Sequence, residues 1–224
     1  MWSYDSNSEI PIIFGSALTG LLNAGDYEKP IHSVSVSDYY LGKTVITQAL
    51  WKVVMGNNPS HFKGDNLQVE MVSWNDTQEF IKKLNSLTRK NYKLPTEAEW
   101  EYAAGGGASV RTKWAGTDSE SSLGNYAWYY INSSSKTHAV ATMQANTLGL
   151  YDMSGNVWEW CSNWYGNYSG NSQTNPAGPT SGSGRVFRGG SWRDFARGCR
   201  VALRYNYSPD YRGYDLDFRV ALVP

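Results

Sequence analysis

Two cysteines, three histidines and a dense set of tyrosines and arginines carry most of the chemistry available to this 224-residue chain. Cys161 and Cys199 could form one disulfide, lie buried as free thiols, or act as thiolates; nothing in their spacing chooses between these. His32, His61 and His138 lie in three separate segments and form no short ligand motif, so a histidine-held iron site would have to be assembled across the fold. The C-terminal quarter is richer. Tyr205, Tyr207, Tyr211 and Tyr214 alternate there with Arg, Asp, Asn and Gly. That mixture is the composition of an antibody paratope, where Tyr supplies large amphipathic area at low entropy cost and small polar residues adapt. Arg188, Arg200, Arg204 and Arg219 recur beside these positions. They read as buried or half-buried structural arginines, each guanidinium fork paired with carboxylates or loop carbonyls, with Trp158, Trp160 and Trp192 filling the core beneath.

Local elements must position these groups. Thr47 to Met55 reads as a helix with Leu50, Val53 and Val54 on one face and a stop at Gly56. A second helix runs from about Ser73 to Leu87, capped by Ser73 with Asp76 as its box partner, with Trp74, Phe80, Ile81, Leu84 and Leu87 as its apolar stripe. A third follows Leu94-Pro95, with Thr96 and Glu99 as a capping box and Gly105-Gly106-Gly107 as the stop. Alternation predicts a strand over Ile31 to Tyr39, and shorter strands at Asn156–Trp160, Arg185–Arg188 and Phe218–Leu222. The stretches 105–146 and 162–184 carry little periodicity. That much irregular chain needs a function or an ion to hold it. The fold class is α+β with high loop content.

Composition removes several functions. Lys+Arg and Asp+Glu are equal at 20 each, without the basic stripe that nucleic-acid binding requires. No apolar run reaches the roughly 20 residues of a membrane span. With 41% hydrophobic residues, including 10 Trp and 16 Tyr, the chain can bury a core. Met1-Trp2-Ser3-Tyr4-Asp5 has neither a basic nor an apolar signal region, so no secretory signal is expected within this chain.

The runs Leu94-Pro-Thr-Glu-Ala-Glu-Trp-Glu-Tyr-Ala103, Gly149-Leu-Tyr-Asp-Met-Ser-Gly-Asn-Val-Trp-Glu-Trp160, Arg188-Gly-Gly-Ser-Trp192 and Phe218-Arg219 resemble the formylglycine-generating-enzyme (sulfatase-modifying factor) superfamily. The likeness extends, in the family's order, from about Phe14 to Pro224. It implies a single domain over 1–224 with an elaborated C-type-lectin fold: a small twisted antiparallel sheet, two to three helices and much loop. The family's enzymes use a cysteine pair just after the Gly-Gly-Ser segment to bind copper and activate oxygen. Here that stretch offers only Cys199, at a non-catalytic position, and one thiolate cannot supply two-sulfur ligation to Cu(I). No catalytic residue is therefore assigned and the chain is expected not to be an enzyme. A metal-dependent oxygenase of the same superfamily, using iron or copper, is the alternative.

The segment 185–224 further resembles the variable region of proteins diversified by retroelements, of the treponeme variable-protein type. There, mutated Asn codons yield an alphabet without Lys, Glu, Gln, Met or Trp. From Arg193 to Asp217 none of those five types occurs. The resemblance marks Arg193, Asp194, Phe195, Arg197, Gly198, Leu203, Tyr205, Asn206, Tyr207, Tyr211, Gly213, Tyr214, Asp215 and Asp217 as variable, ligand-binding positions. The family usually has Gly where Asp217 stands. The resemblance also implies a structural Ca²⁺ or Mg²⁺, with no cofactor required, at Asp152 and Glu159 side chains and Gly155 and Val157 carbonyls, a hard-oxygen set suited to Ca²⁺. It implies a monomer that binds a variable protein or glycan on a host or microbial surface. Display would be on a bacterial cell surface as an outer-membrane lipoprotein, its anchor absent from this chain.

Overall fold

Each helix starts and stops where its own side chains dictate. Helix α1 (Gln48–Met55) begins at Thr47, whose hydroxyl accepts the Leu50 amide, and ends at Gly56 in the left-handed region. Helices α2 (Trp74–Thr88) and α3 (Glu97–Ala104) both open on reciprocal capping boxes, Ser73 with Asp76 and Thr96 with Glu99. The computed structural model describes residues 26–107 and 111–223. The reading of Met1 to Asp5 and the start of the family likeness at Phe14 lie outside the described residues.

Two helix faces differ from expectation. Val53 and Leu87 are exposed, at 78% and 66%. In α1 the buried residues are Gln48 and Trp51; Trp51 stacks on Phe80 of α2 at 5.2 Å. Val53 lies about 200° round the helix from Trp51 and so faces water. Gln48 tolerates burial because its Nε2 donates to the carbonyls of Phe62 and Gln68, at 2.7 and 3.1 Å.

The strands are short: β1 (Val34–Ser35), β2 (Tyr40–Leu41), β3 (Tyr92–Lys93), β4 (Trp158–Trp164), β5 (Gln173–Thr174), β6 (Arg185–Arg188), β7 (Arg204–Tyr207), β8 (Leu216–Asp217) and β9 (Ala221–Leu222). The main sheet runs β7-β6-β4-β8, antiparallel except for the parallel β4–β8 pair. A three-stranded antiparallel sheet, β2-β9-β3, and a parallel β1–β5 pair complete the set. The strand anticipated over Ile31 to Tyr39 shrinks to β1, because β5, its only partner among the described residues, offers two residues.

The main core gathers α1, α2 and the sheet around Trp51, Phe80, Trp160 and Phe218, while two smaller clusters centre on Trp100 and Trp114. Irregular chain is held by buried side chains bonding to backbone. Trp114 Nε1 donates to the Ala196 carbonyl at 2.6 Å, Ser133 Oγ to Trp192 at 2.7 Å, Asn146 Nδ2 to Ala103 at 2.7 Å and Ser154 Oγ to Cys199 at 2.8 Å. These bonds satisfy carbonyls that secondary structure leaves open. No helix among the described residues is long and apolar enough to cross a membrane.

Candidate recognition face

The site is built outward from a lattice of buried arginines. Arg204 forks onto Glu97 with bonds of 2.7 and 2.6 Å, and Tyr168 Oη donates to the same carboxylate at 3.0 Å. Arg188, fully buried, pairs with Glu101 and donates to the Ala202 carbonyl. Arg200 holds Glu28 through two bonds of 2.9 and 2.5 Å. Arg219 binds both oxygens of Glu159 at 2.6 Å and the carbonyls of Gly42 and Tyr151. All four guanidinium groups therefore join carboxylates to distant chain segments, as their type and spacing suggested.

Glu101 shows the electrostatic consequence. Burial pushes its carboxyl up, but Arg188 and Arg111 outweigh that and hold it below the usual range. A group whose folded pKa is depressed stabilises the fold above its unfolded value and loses that contribution as pH falls through the folded one. Acid unfolding below about pH 4.5 is thus expected to be shallower in Glu101→Gln than in wild type, with the variant already less stable at pH 7. Urea melts across pH 3–7 check this, and equal acid slopes would contradict it.

Above the lattice, β7 displays its side chains alternately. Tyr205 and Tyr207 are exposed at 47% and 49% and rest on Phe187 of β6, with centroids 6.2 and 5.7 Å away. Tyr207 stacks on Tyr211 at 4.0 Å. Arg193 donates to Tyr214 Oη at 2.9 Å and lies 3.8 Å from Asp215. Asp194 Oδ2 accepts from the amide and hydroxyl of Ser191. Phe195 packs on Tyr130 at 4.5 Å, and Arg197 is exposed. Tyr205 interacts electrostatically with Asp194 and Arg197, and Tyr211 with Asp215, Arg193 and Tyr214. Arg193, Asp194, Phe195, Arg197, Tyr205, Tyr207, Tyr211, Tyr214 and Asp215 thus share one exposed or half-buried face.

Five anticipated positions do not join it. Leu203 is buried in the main core and Asp217 is fully buried. Gly198 and Gly213 are also buried; a Cβ on either would fall within 3.0 Å of Asp194 or Asp215 side-chain atoms. Asn206 is half-buried and packs over Gly184, because strand alternation turns it away from Tyr205 and Tyr207. Three exposed residues outside the C-terminal segment extend the face instead. Tyr27 packs beside Tyr205, Tyr130 beside Phe195, and His61 beside Tyr214, at 6.1, 4.5 and 6.1 Å. Distance along the chain hid them; an isolated loop aromatic carries no local signal of what it meets.

The cation anticipated at Asp152, Gly155, Val157 and Glu159 meets a competing arrangement. Asp152 is buried, accepts the Ala141 amide at 2.8 Å, and burial pushes its carboxyl up to about 6. Glu159 is already committed, since Arg219 takes both oxygens and Trp100 Nε1 donates to one at 2.7 Å. The Arg219 guanidinium in bidentate contact offsets the Glu159 charge, so a cation held by these four residues would share that carboxylate with it. Cys161 and Cys199 are free, buried and in different core clusters. Burial raises both thiols well above their ordinary value, and they are not assembled into a thiolate pair.

Comparison with known proteins places this geometry among relatives. Residues 4–223 match the Sulfatase-modifying factor enzyme 1-like domain. The chain is 31% identical to the chaperone protein LppX of Paenibacillus barcinonensis, over 84% of this chain and 81% of that protein. It is 36% identical to the formylglycine-generating enzyme of Streptomyces coelicolor over 70% of its own length, and spans 52% of that enzyme. Among solved structures it is similar to Treponema denticola variable protein 1, 40% identical, covering 86% of this chain and 87% of that one with a TM-score of 0.83.

Proposed function

The chain belongs to the sulfatase-modifying factor enzyme 1-like family, and within it we propose a non-enzymatic binding protein whose exposed C-terminal face is diversified by a retroelement to recognise variable macromolecular ligands. The observation that carries this reading is the segregation of residues 192–219. Arg200, Arg204, Arg219, Trp192 and Phe218 are buried or paired, while Tyr205, Tyr207, Tyr211, Tyr214, Arg193, Phe195 and Arg197 stand together in solvent. A surface can change its chemistry freely only where the side chains do not hold the fold. The likeness to a variable protein supports the same reading. We place the protein on a bacterial surface, anchored through lipid, facing a protein or glycan partner.

Sister copies of this chain are the direct test. Their differences are expected at the nine face positions and at Asn-derived codons, sparing Trp192, Arg204 and Phe218; uniform divergence would overturn diversification. Stoichiometric copper or iron with oxygen consumption would overturn the non-enzymatic reading. Within one molecule, Tyr207→Ala and Tyr214→Ala are each expected to change folding stability by about 1 kcal/mol or less. A much larger loss in thermal melting would mean the rings hold the fold rather than a ligand.

A further inference from the structure

The fold buries two carboxylates, Asp217 and Glu70, that form no salt bridge among the described residues, although Lys63 and His61 act on Glu70 and Arg219 on Asp217 from a greater distance. Asp217 is fully buried, and neither oxygen has a hydrogen-bond partner among the described residues; the Phe218 amide leans on it without reaching bonding geometry. Glu70 is fully buried too. One of its oxygens accepts the Phe62 amide at 2.7 Å and the other has no partner. Asp217 lies within electrostatic reach of Glu70 and of Glu159, but Arg219 is already spent on Glu159. A fourth oxygen, Gln68 Oε1, is also buried without a partner among the described residues, while that side chain's Nε2 donates to Asn156 Oδ1 at 2.8 Å.

Backbone geometry turns these groups the same way. Ile46 joins their two segments, its amide donating to the Phe218 carbonyl at 3.0 Å and its carbonyl accepting from Val69 at 2.9 Å. Ile46, Val69 and Phe218 all enter one core cluster. Side chains alternate along extended backbone, so Asp217, Gln68 and Glu70 project from the opposite side. Trp192 Nε1, also buried without a partner, belongs to the same neighbourhood, since its ring packs on Phe62 at 5.9 Å.

We propose that Asp217, Glu70 and Gln68 form a structural site for one hard divalent cation, Ca²⁺ before Mg²⁺. Two carboxylates and an amide oxygen supply oxygen ligands only, which excludes a preference for zinc or copper. Buried carboxylates without a salt bridge are costly, and a dication cancels both charges at once. Their irregular origin suits the flexible coordination of Ca²⁺, completed by water, better than the strict octahedron of Mg²⁺. Trp192 Nε1, unpartnered among the described residues, would be available to donate to such a water. The site also has a structural consequence. It would tie the 213–217 turn, which carries Tyr214 and Asp215, to the 68–71 segment, already joined by the Met71 amide on the Gly213 carbonyl at 2.9 Å. This inference stands whether or not the face above is diversified.

Elemental analysis and melting test it on the intact chain. Protein equilibrated with Ca²⁺ and freed of loose ions is expected to retain Ca²⁺. Ca²⁺ at 100 times Kd should raise Tm over chelator-treated protein by about 5–10 °C. Asp217→Asn and Glu70→Gln should each lose one Ca²⁺ per chain and the Tm response, whereas Asp152→Asn keeps both. Wild type without bound Ca²⁺ and without a Tm response overturns the proposal. So does Asp217→Asn carrying as much Ca²⁺ as wild type, or melting higher than wild type with no Ca²⁺ effect in either. Should Asp217→Asn fail to fold, Asp217→Gly takes its place, and the wild-type measurements decide on their own.

Discussion

Replacing Glu159 by Gln is expected to cost about 3–5 kcal/mol of folding stability, because it strands a fully buried guanidinium. Arg219 has no exposed surface, and among the described residues the two 2.6 Å bonds to Glu159 are its only hydrogen bonds to a carboxylate. Its remaining bonds go to the Gly42 and Tyr151 carbonyls, which orient the group without neutralising it. Trp100 Nε1 and Arg219 Nε would retain the Gln oxygen as acceptor, while the Gln amide N–H would face Arg219 Nη2, so the loss combines the missing charge with one lost hydrogen bond. Urea denaturation followed by tryptophan fluorescence measures it. The double variant Glu159→Gln with Arg219→Met should recover part of the loss, since removing both partners is cheaper than orphaning one. A single-variant loss below about 1 kcal/mol would mean that water reaches the pair and that the lattice is a surface feature.

Gly155→Ala is the second large effect, at about 2–5 kcal/mol. Gly155 sits at φ 76°, where an L side chain costs about 1–2 kcal/mol. A Cβ there would fall 2.3 Å from the Trp128 carbonyl oxygen, a backbone atom with little freedom to retreat, and such overpacking adds about 1–3 kcal/mol. The position also joins two sequence motifs, because the Gly155 amide donates to the Gly189 carbonyl at 2.8 Å. Its neighbour Asn156 binds across the same junction, accepting the Trp192 amide at 2.9 Å through its carbonyl. Thermal melting of the variant should therefore show a large drop in Tm. The same variant in saturating Ca²⁺ should stay destabilised by a similar amount, since the loss is steric. Recovery of wild-type stability by Ca²⁺ would instead return Gly155 to a cation site.

The two cases explain why a loop-rich chain holds one shape. Among the described residues of 105–157 the one element is a short 3-10 turn (Glu120–Asn125). Their backbone is ordered by buried arginines, indole N–H groups and hydroxyls bonded to carbonyls, in place of long strand ladders. The recognition face inherits its rigidity from that lattice.

Much of this was legible along the chain. The caps at Thr47, Ser73 and Thr96 act between residues three apart, so sequence alone determined where each helix begins. The arginine roles were legible from residue type, because a guanidinium among apolar and aromatic neighbours has to find a carboxylate or carbonyls. The Tyr-rich character of the C-terminal segment was likewise a matter of composition. Tertiary structure alone decided which helix faces are covered, exposing Val53 and Leu87 and burying Gln48. It decided that Glu159 answers Arg219, although 60 residues separate them. It also sorted the C-terminal segment, sending Leu203 and Asp217 inward, turning Asn206 away from Tyr205 and Tyr207, and adding Tyr27, Tyr130 and His61 to the face. The physical reason is the same in each case. Capping and alternation act through the nearest few residues, whereas burial and charge pairing depend on which distant segments the folded chain brings into contact.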